Sequence, residues 1–71
     1  MKTLDLHGTK HEDVRMKVKR WIEDNYNTGY SLSVITGNSP KMRELVIEEL
    51  ELYNLSWEHS IVYPSIINVD F

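Results

Sequence analysis

The residues Leu4–Gly8 read LDLHG: a short apolar segment that carries an acid and a histidine and ends at a glycine. Apolar and polar residues alternate over these few positions, which indicates a short β-strand, and the glycine indicates a turn directly after it. Asp5 and His7 are two residues apart, so a strand places both side chains on one face. The segment therefore predicts a first strand whose carboxyl end carries two groups capable of acid–base chemistry.

A helix is predicted directly after this turn. Residues 9–12, TKHE, fit the capping box, in which the hydroxyl of Thr9 and the carboxylate of Glu12 satisfy open backbone N–H groups. Apolar residues then recur at helical spacing and form one stripe, which consists of Val14, Val18, Trp21 and Ile22. We expect Met16, opposite the stripe, to be exposed and the helix to end within residues 24–27.

A second strand and a second helix are predicted in the middle of the chain. Residues 32–35 form the strand, which ends at the turn Thr36-Gly37-Asn38. Ser39 is a typical N-cap residue, and proline follows it at the first helical position. This helix extends to about Tyr53, with Asn54 as its terminator; its inward positions are Met42, Leu45, Val46, Leu50 and Tyr53.

Glu49 falls inside the apolar stripe of this second helix. We expect its carboxylate to reach out of the helix interface, because a buried charge is costly without a partner. The alternative is a buried contact with a partner group.

The last part of the chain is predicted to form two strands, over residues 58–63 and 66–71, joined by a tight turn at Pro64-Ser65. The elements then follow the order β-α-β-α-β-β, and right-handed crossovers make the first two strands parallel. The fold class expected over residues 1–71 is a single α/β domain, a two-layer sandwich with two helices on a small mixed sheet.

The composition fits one soluble globular domain. The chain has 71 residues, 41% of them hydrophobic and 27% charged, which allows one small core and no second domain. The lack of cysteine excludes disulfides, thiolate metal sites and a cysteine nucleophile. No segment fits a bilayer span or a signal peptide, so we expect a cytoplasmic protein that does not contact a membrane.

The charge is distributed unevenly along the chain. The net charge of −3 argues against a generally basic protein that coats nucleic acid. Residues 1–30 nevertheless hold six Lys and Arg against five Asp and Glu, whereas residues 31–71 hold two against six. A local basic surface is therefore available on an acidic protein.

The two strand ends are predicted to form one phosphate-binding edge. Parallel strands bring His7-Gly8 and Thr36-Gly37 to the same side of the sheet, where ligands of open α/β sheets bind. The helix that opens at Ser39 directs backbone N–H groups toward that edge, which suits an anion such as phosphate. The residues predicted to contact the substrate are Gly8, Lys10, Thr36, Gly37, Asn38, Ser39, Lys41 and Arg43.

Asp5 and His7 are the predicted catalytic pair at this edge. A carboxylate and an imidazole can deprotonate an attacking hydroxyl, protonate a leaving oxygen or hold a divalent metal such as Mg²⁺ or Mn²⁺. The histidines lack the short helical spacing of a zinc site, so no dedicated metal site is predicted. A local turn contact between Asp5 and the residues after it is the alternative role for this pair.

The pattern as a whole resembles the small MutS-related (Smr) domain family. The matching residues are Leu4–Gly8, for the family's LDLHG motif, and Thr36-Gly37-Asn38-Ser39, for its TGxG or HGxG loop. The resemblance covers nearly the whole chain and implies an α/β sandwich like the C-terminal domain of a bacterial translation initiation factor. It also implies DNA or RNA binding, endonuclease or nicking activity through Asp5 and His7, and substrate contact through the glycine loop.

Three functions are consistent with the sequence. The first is an Smr-like nuclease domain that cleaves phosphodiester bonds. The second is a nucleic-acid-binding module without catalysis, because Ser39 replaces the second glycine of TGxG and Asn38 replaces a residue that is basic in many members. The third is an adaptor that meets a protein partner through acidic residues of the second helix, namely Glu44, Glu48 and Glu51. The choice between DNA and RNA, the oligomeric state and the role of His11, expected to be solvent-exposed, stay open.

Overall fold

The computed structural model describes residues 3–71, which form a small mixed α/β domain with two helices and a four-stranded sheet. In chain order the elements are β1 (Leu4–Asp5), α1 (His11–Asn25), β2 (Ser31–Ile35), α2 (Pro40–Leu52), β3 (Ser56–His59) and β4 (Ile66–Asp70). No helix within residues 3–71 has the length and apolar character needed to cross a bilayer.

The sheet has the strand order β1-β2-β4-β3. β1 pairs with β2 in parallel, with Leu4 opposite Val34, which confirms the prediction that the first two strands are parallel. β4 lies antiparallel between β2 and β3. The sheet is therefore mixed, and the carboxyl ends of β1 and β2 lie at the same edge.

Both helices pack on one face of this sheet. The buried strand residues Val34, Ile67 and Val69 belong to the same apolar cluster as the buried residues of the helices. The opposite face of the sheet is more polar, and its strands are linked by a hydrogen bond from Ser33 Oγ to Asn68 Oδ1 at 3.0 Å. Buried and outward residues alternate along β4, in which Ile67 and Val69 are buried.

The first helix has the predicted apolar stripe but a different start. Val14, Val18, Trp21 and Ile22 are buried, and Met16 is 67% exposed, as expected. The predicted capping box was wrong, because the N-cap is Lys10 and no side chain caps the helix. The backbone N–H of Thr9 donates to Leu6 O at 2.9 Å, so the turn continues through Thr9 and the helix begins later.

The second helix begins and ends as predicted. Ser39 is its N-cap, and Ser39 Oγ accepts a hydrogen bond from the Met42 N–H at 3.1 Å. Pro40 occupies the first turn, where its missing N–H costs nothing. Asn54 has a left-handed backbone, φ +57°, and turns the chain away after the helix.

The prediction for Glu49 on this helix was wrong. Its carboxylate does not reach out of the helix interface but makes the alternative, a buried contact with a partner group. The residue is buried, and Arg15 of α1 donates from Nη1 to Glu49 Oε1 at 3.3 Å. Arg15 also pairs with Glu48 through Nη2. The two carboxylates raise the pKa of the Arg15 guanidinium, chiefly through the hydrogen bond to Glu48. The sequence stripe gave no sign of this cation, because it comes from the other helix.

The last two strands differ from the predicted boundaries. β3 covers residues 56–59 and not 58–63, and residues 60–65 form a loop in place of the two-residue turn. The loop is closed by hydrogen bonds from Ser60 N to Ile66 O at 3.0 Å and from Tyr63 N to Ser60 Oγ at 3.1 Å. Because the chain turns at Asn54 and enters the sheet directly, the pairing with β4 is complete at His59. Apolar residues 61–63 are consequently left in a loop and not in a strand.

Candidate functional site

The turns that follow β1 and β2 lie side by side at one edge of the sheet. Asp5 pairs with Ile35 across the two parallel strands, and the backbone N–H of Leu6 donates to Ile35 O at 2.9 Å. His7-Gly8 and Thr36-Gly37 therefore leave the sheet next to each other, which confirms that the two motif segments meet.

Asp5 holds the first turn in shape. Its Oδ1 accepts a hydrogen bond from the backbone N–H of His7 at 2.9 Å, and Gly8 follows with φ +77°. The alternative foreseen from the sequence, a local turn contact, is thus present. One carboxylate oxygen of Asp5 thus stabilises the turn. Both Asp5 and His7 are exposed, so the imidazole is accessible from solvent.

Thr36 fastens the second turn to the loop between β3 and β4. It is buried, its N–H donates to Ser65 O at 2.8 Å, and its hydroxyl lies 3.1 Å from the carbonyl oxygens of both Gly37 and Ser65. A direct contact between this hydroxyl and a ligand would require these bonds to open. Thr36 therefore positions the loop, whereas Asn38 is exposed at its tip.

A side-chain contact joins the N-terminal ends of the two helices. Ser39 Oγ, which caps α2, lies 3.4 Å from His11 Nε2 at the start of α1. His11 is exposed, as expected, but its place beside Ser39 was missed. The signal was available in principle, because both helices follow strands that end at the same edge, so their first residues should meet.

The three predicted cations occupy different positions at this edge. Lys10 is exposed at the N-cap of α1. Lys41 is also exposed and its Nζ lies 3.6 Å from Glu44 Oε1, an ion pair of a kind that costs little to exchange for another anion. Arg43 is partly buried and donates from Nη1 to Pro64 O at 3.2 Å, so it ties α2 to the β3–β4 loop.

We call residues 7–11, 36–43 and 60–65 the loop edge, since the contacts above join these three segments. Within residues 3–71 there is no enclosed pocket, and no group of three or more His, Asp or Glu side chains could hold a metal. The loop edge is thus an open surface that combines two histidines, the N-terminal ends of both helices and three basic side chains. It offers hydrogen-bond donors and positive charge to an anion that approaches from solvent.

Most of the acidic residues of α2 form ion pairs within the chain, which the sequence did not indicate. Arg15 binds both Glu48 and Glu49, and Lys41 binds Glu44. Glu51 is exposed near the end of the helix. Much of the negative charge on this helix is therefore balanced by cations of the same chain.

Comparison with known proteins adds no relative to this description. No protein-family model, no curated protein and no solved structure matches the chain.

Proposed function

We propose that this chain is an Smr-like nucleic-acid-binding domain that cleaves phosphodiester bonds at the loop edge. The observation that carries the proposal is the meeting of the ends of β1 and β2 through the Leu6–Ile35 hydrogen bond, together with the contact between His11 and Ser39 at the starts of the two helices. One imidazole, that of His11, lies beside the N-terminus of α2, at the edge where the LDLHG turn leaves the sheet. A phosphodiester backbone needs both, one for the reacting oxygens and one for the negative charge.

The phosphate group is held at the second turn in this proposal. Gly37 has φ +69° and no heavy atom within 4 Å of the position of an added Cβ, so a ligand can approach the backbone closely. Asn38 and Ser39 supply polar side chains next to the positive end of the α2 dipole. Lys10 and Lys41 draw the polyanion toward the edge.

The residues that carry the reaction in this proposal are His7, which acts on the water, and Asp5, which positions His7. In hydrolysis, the imidazole of His7 takes the proton of the attacking water while the oxygen of that water bonds to phosphorus. The bond from phosphorus to the leaving oxygen breaks, and that oxygen receives a proton from solvent or from His11. Asp5 shapes the turn that presents His7. Asp5 and His7 belong to no group of three or more His, Asp or Glu side chains among residues 3–71 that could hold a metal, so Mg²⁺ and Mn²⁺ have no assigned ligands in this proposal.

A second candidate is nucleic-acid binding without cleavage. The hydrogen bond between Asp5 Oδ1 and the His7 N–H favours it, because it gives the carboxylate a structural task at the same place. The third function, a protein adaptor that uses the acidic residues of α2, is less favoured, since Glu44 and Glu48 are paired with Lys41 and Arg15.

A cleavage assay separates the two candidates. Labelled single- and double-stranded DNA and RNA are incubated with the 71-residue chain, with and without Mg²⁺ or Mn²⁺. His7→Ala is expected to lower the rate by about 10²- to 10⁴-fold, the usual loss for an acid–base group. His59→Ala, which alters an exposed histidine on β3, is expected to retain the rate.

Asp5 needs two variants because it also shapes the turn. Asp5→Asn keeps a side-chain oxygen that can accept the His7 N–H, whereas Asp5→Ala removes it. Loss of cleavage in Asp5→Asn with unchanged thermal stability supports a role of the charge. Cleavage at the wild-type rate in folded Asp5→Asn and His7→Ala would refute the assignment. Salt-dependent binding without any product would favour the non-catalytic module.

A further inference from the structure

Three consecutive apolar residues are exposed at the tip of the β3–β4 loop. The relative exposures are 101% for Ile61, 71% for Val62 and 60% for Tyr63. Residues 60–65, SIVYPS, contain no charge. Single exposed apolar residues are common, but a contiguous group of large ones marks a contact surface.

This apolar tip is held in a defined shape. Tyr63 N donates to Ser60 Oγ at 3.1 Å, Ile66 N donates to Tyr63 O at 2.9 Å, and Ser60 N donates to Ile66 O at 3.0 Å. The loop is therefore closed on itself, and presenting its side chains to a ligand requires little additional ordering.

The tip is also fastened to the turn that is proposed to hold phosphate. Ser65 O accepts the N–H of Thr36 at 2.8 Å, and Pro64 O accepts a hydrogen bond from Arg43 at 3.2 Å. Tyr63 is two residues from Ser65, a span of at most about 7 Å. An uncharged aromatic and aliphatic surface thus adjoins the basic part of the loop edge.

We infer that residues 61–63 form a base-binding subsite, so that the ligand of the loop edge is an unpaired, single-stranded segment of nucleic acid. This inference rests on the proposed function and names its substrate class. Proteins that bind single strands combine cations along the backbone with aromatic side chains on which bases stack. The ring of Tyr63 supplies the stacking surface, and Ile61 and Val62 cover the neighbouring base. Paired bases within a duplex do not offer these faces.

The test compares a 20-nucleotide poly-dT or poly-U strand with a duplex of equal length, by fluorescence anisotropy. Tyr63→Ala is expected to weaken single-strand binding by about 5- to 150-fold, the range measured for loss of one stacked base, and to change duplex binding much less. Tyr63→Trp is expected to restore the affinity. Val62→Ser is expected to weaken single-strand binding in the same direction.

The chain offers matched controls at positions away from the loop edge. Tyr30→Ala removes a tyrosine that is 49% exposed directly before β2, at the end of that strand opposite to Thr36. Leu52→Ser changes an aliphatic residue that is 72% exposed, close to the value for Val62. Both controls are expected to bind like the wild-type chain. A strand that contains 5-iodouracil is expected to cross-link to the tip on irradiation, and peptide mass spectrometry locates the attachment.

The outcomes separate the subsite from the function on which it rests. If the wild-type chain binds neither strand nor duplex, the proposed function fails. If it binds and Ser39→Asp weakens binding while Tyr63→Ala and Val62→Ser do not, the subsite alone is refuted. A wild-type dimer in sedimentation velocity that dissociates in Val62→Ser would also overturn the subsite, because the tip would then be an interface between copies of the chain.

Discussion

Replacement of Ser39 by aspartate separates the two roles that this residue has in the structure. Ser39 Oγ caps α2 by accepting the Met42 N–H at 3.1 Å, and in the proposed function the same side chain borders the phosphate. An aspartate carboxylate is as good an N-cap as a serine hydroxyl, and its charge is favourable at a helix N-terminus. The same charge repels a phosphate. Stability and binding are therefore expected to change independently.

The expected magnitudes follow from the cap and from Coulomb's law. Ser39→Ala removes the cap and is expected to cost about 1 kcal/mol of unfolding free energy, which lowers the melting temperature by about 4–8 °C in a domain of this size. Ser39→Asp is expected to melt at or above the wild-type temperature. A carboxylate about 5 Å from a phosphate, at an effective dielectric constant of about 20–80, weakens binding by about 1–3 kcal/mol. This corresponds to roughly 5- to 150-fold.

The assay is thermal denaturation together with anisotropy titration of a labelled oligonucleotide at low salt. Ser39→Asn is the matched control, because it caps the helix as well as aspartate does and has nearly the same shape without the charge. It is expected to keep both stability and binding. Equal affinities of the Ser39→Asp and Ser39→Asn proteins would refute the reasoning, since the charge would then lie outside the binding surface. Destabilisation of Ser39→Asp would contradict the assignment of Ser39 as the cap.

Three further predictions concern the fold that supports the site. Leu6→Ala is expected to lower the unfolding free energy by about 2–5 kcal/mol, because Leu6, the central residue of LDLHG, is fully buried; urea denaturation with an unchanged dependence of the free energy on urea concentration checks this value. Arg15→Met is expected to lower the urea midpoint more than Lys19→Met, because it leaves the buried Glu49 without its cation; equal midpoints would show that the pair contributes nothing. Gly37→Ala is expected to cost about 1–2 kcal/mol from its left-handed backbone alone, since the added methyl group meets no atom within 4 Å. Gly37→Asn is expected to lower the unfolding free energy less than Gly37→Ala does, and thermal denaturation of both variants checks this order.

The local signals of the sequence were sufficient for most of the fold. Helical spacing located the buried side of α1, and the Ser39-Pro40 pair located the start of α2, because each feature depends only on neighbouring residues. The parallel pairing of β1 and β2 followed from the helix between them, because a helical crossover returns the chain to the end of the sheet from which it started.

The errors arose where a contact outside the local motif decides the outcome. Thr9 and Glu12 fit a capping box, but the turn bond to Leu6 O delays the start of the helix. Glu49 interrupts an apolar stripe, and only the packing of α1 on α2 supplies Arg15 as its partner. The end of β3 is set by its register with β4, which the apolar run of residues 61–63 concealed.

For the candidate site, the sequence predicted which turns lie next to each other, but it did not predict the contacts of the individual residues. The two motif turns do meet, as the parallel strands require. The burial of Thr36 and the contact of His11 with Ser39 depend on how the three loops pack against one another. Sequence spacing does not encode that packing, so these two assignments needed the structure.

Backbone NMR of the isotope-labelled chain during titration with a single-stranded oligonucleotide tests the central claim most directly. The account predicts that the largest amide shifts fall together on the loop edge, within residues 7–11, 36–43 and 60–65. The amides at the opposite end of the sheet, residues 26–31 and 53–56, should change little. Shifts that concentrate at that opposite end, or an absence of shifts at saturating oligonucleotide, would contradict the account.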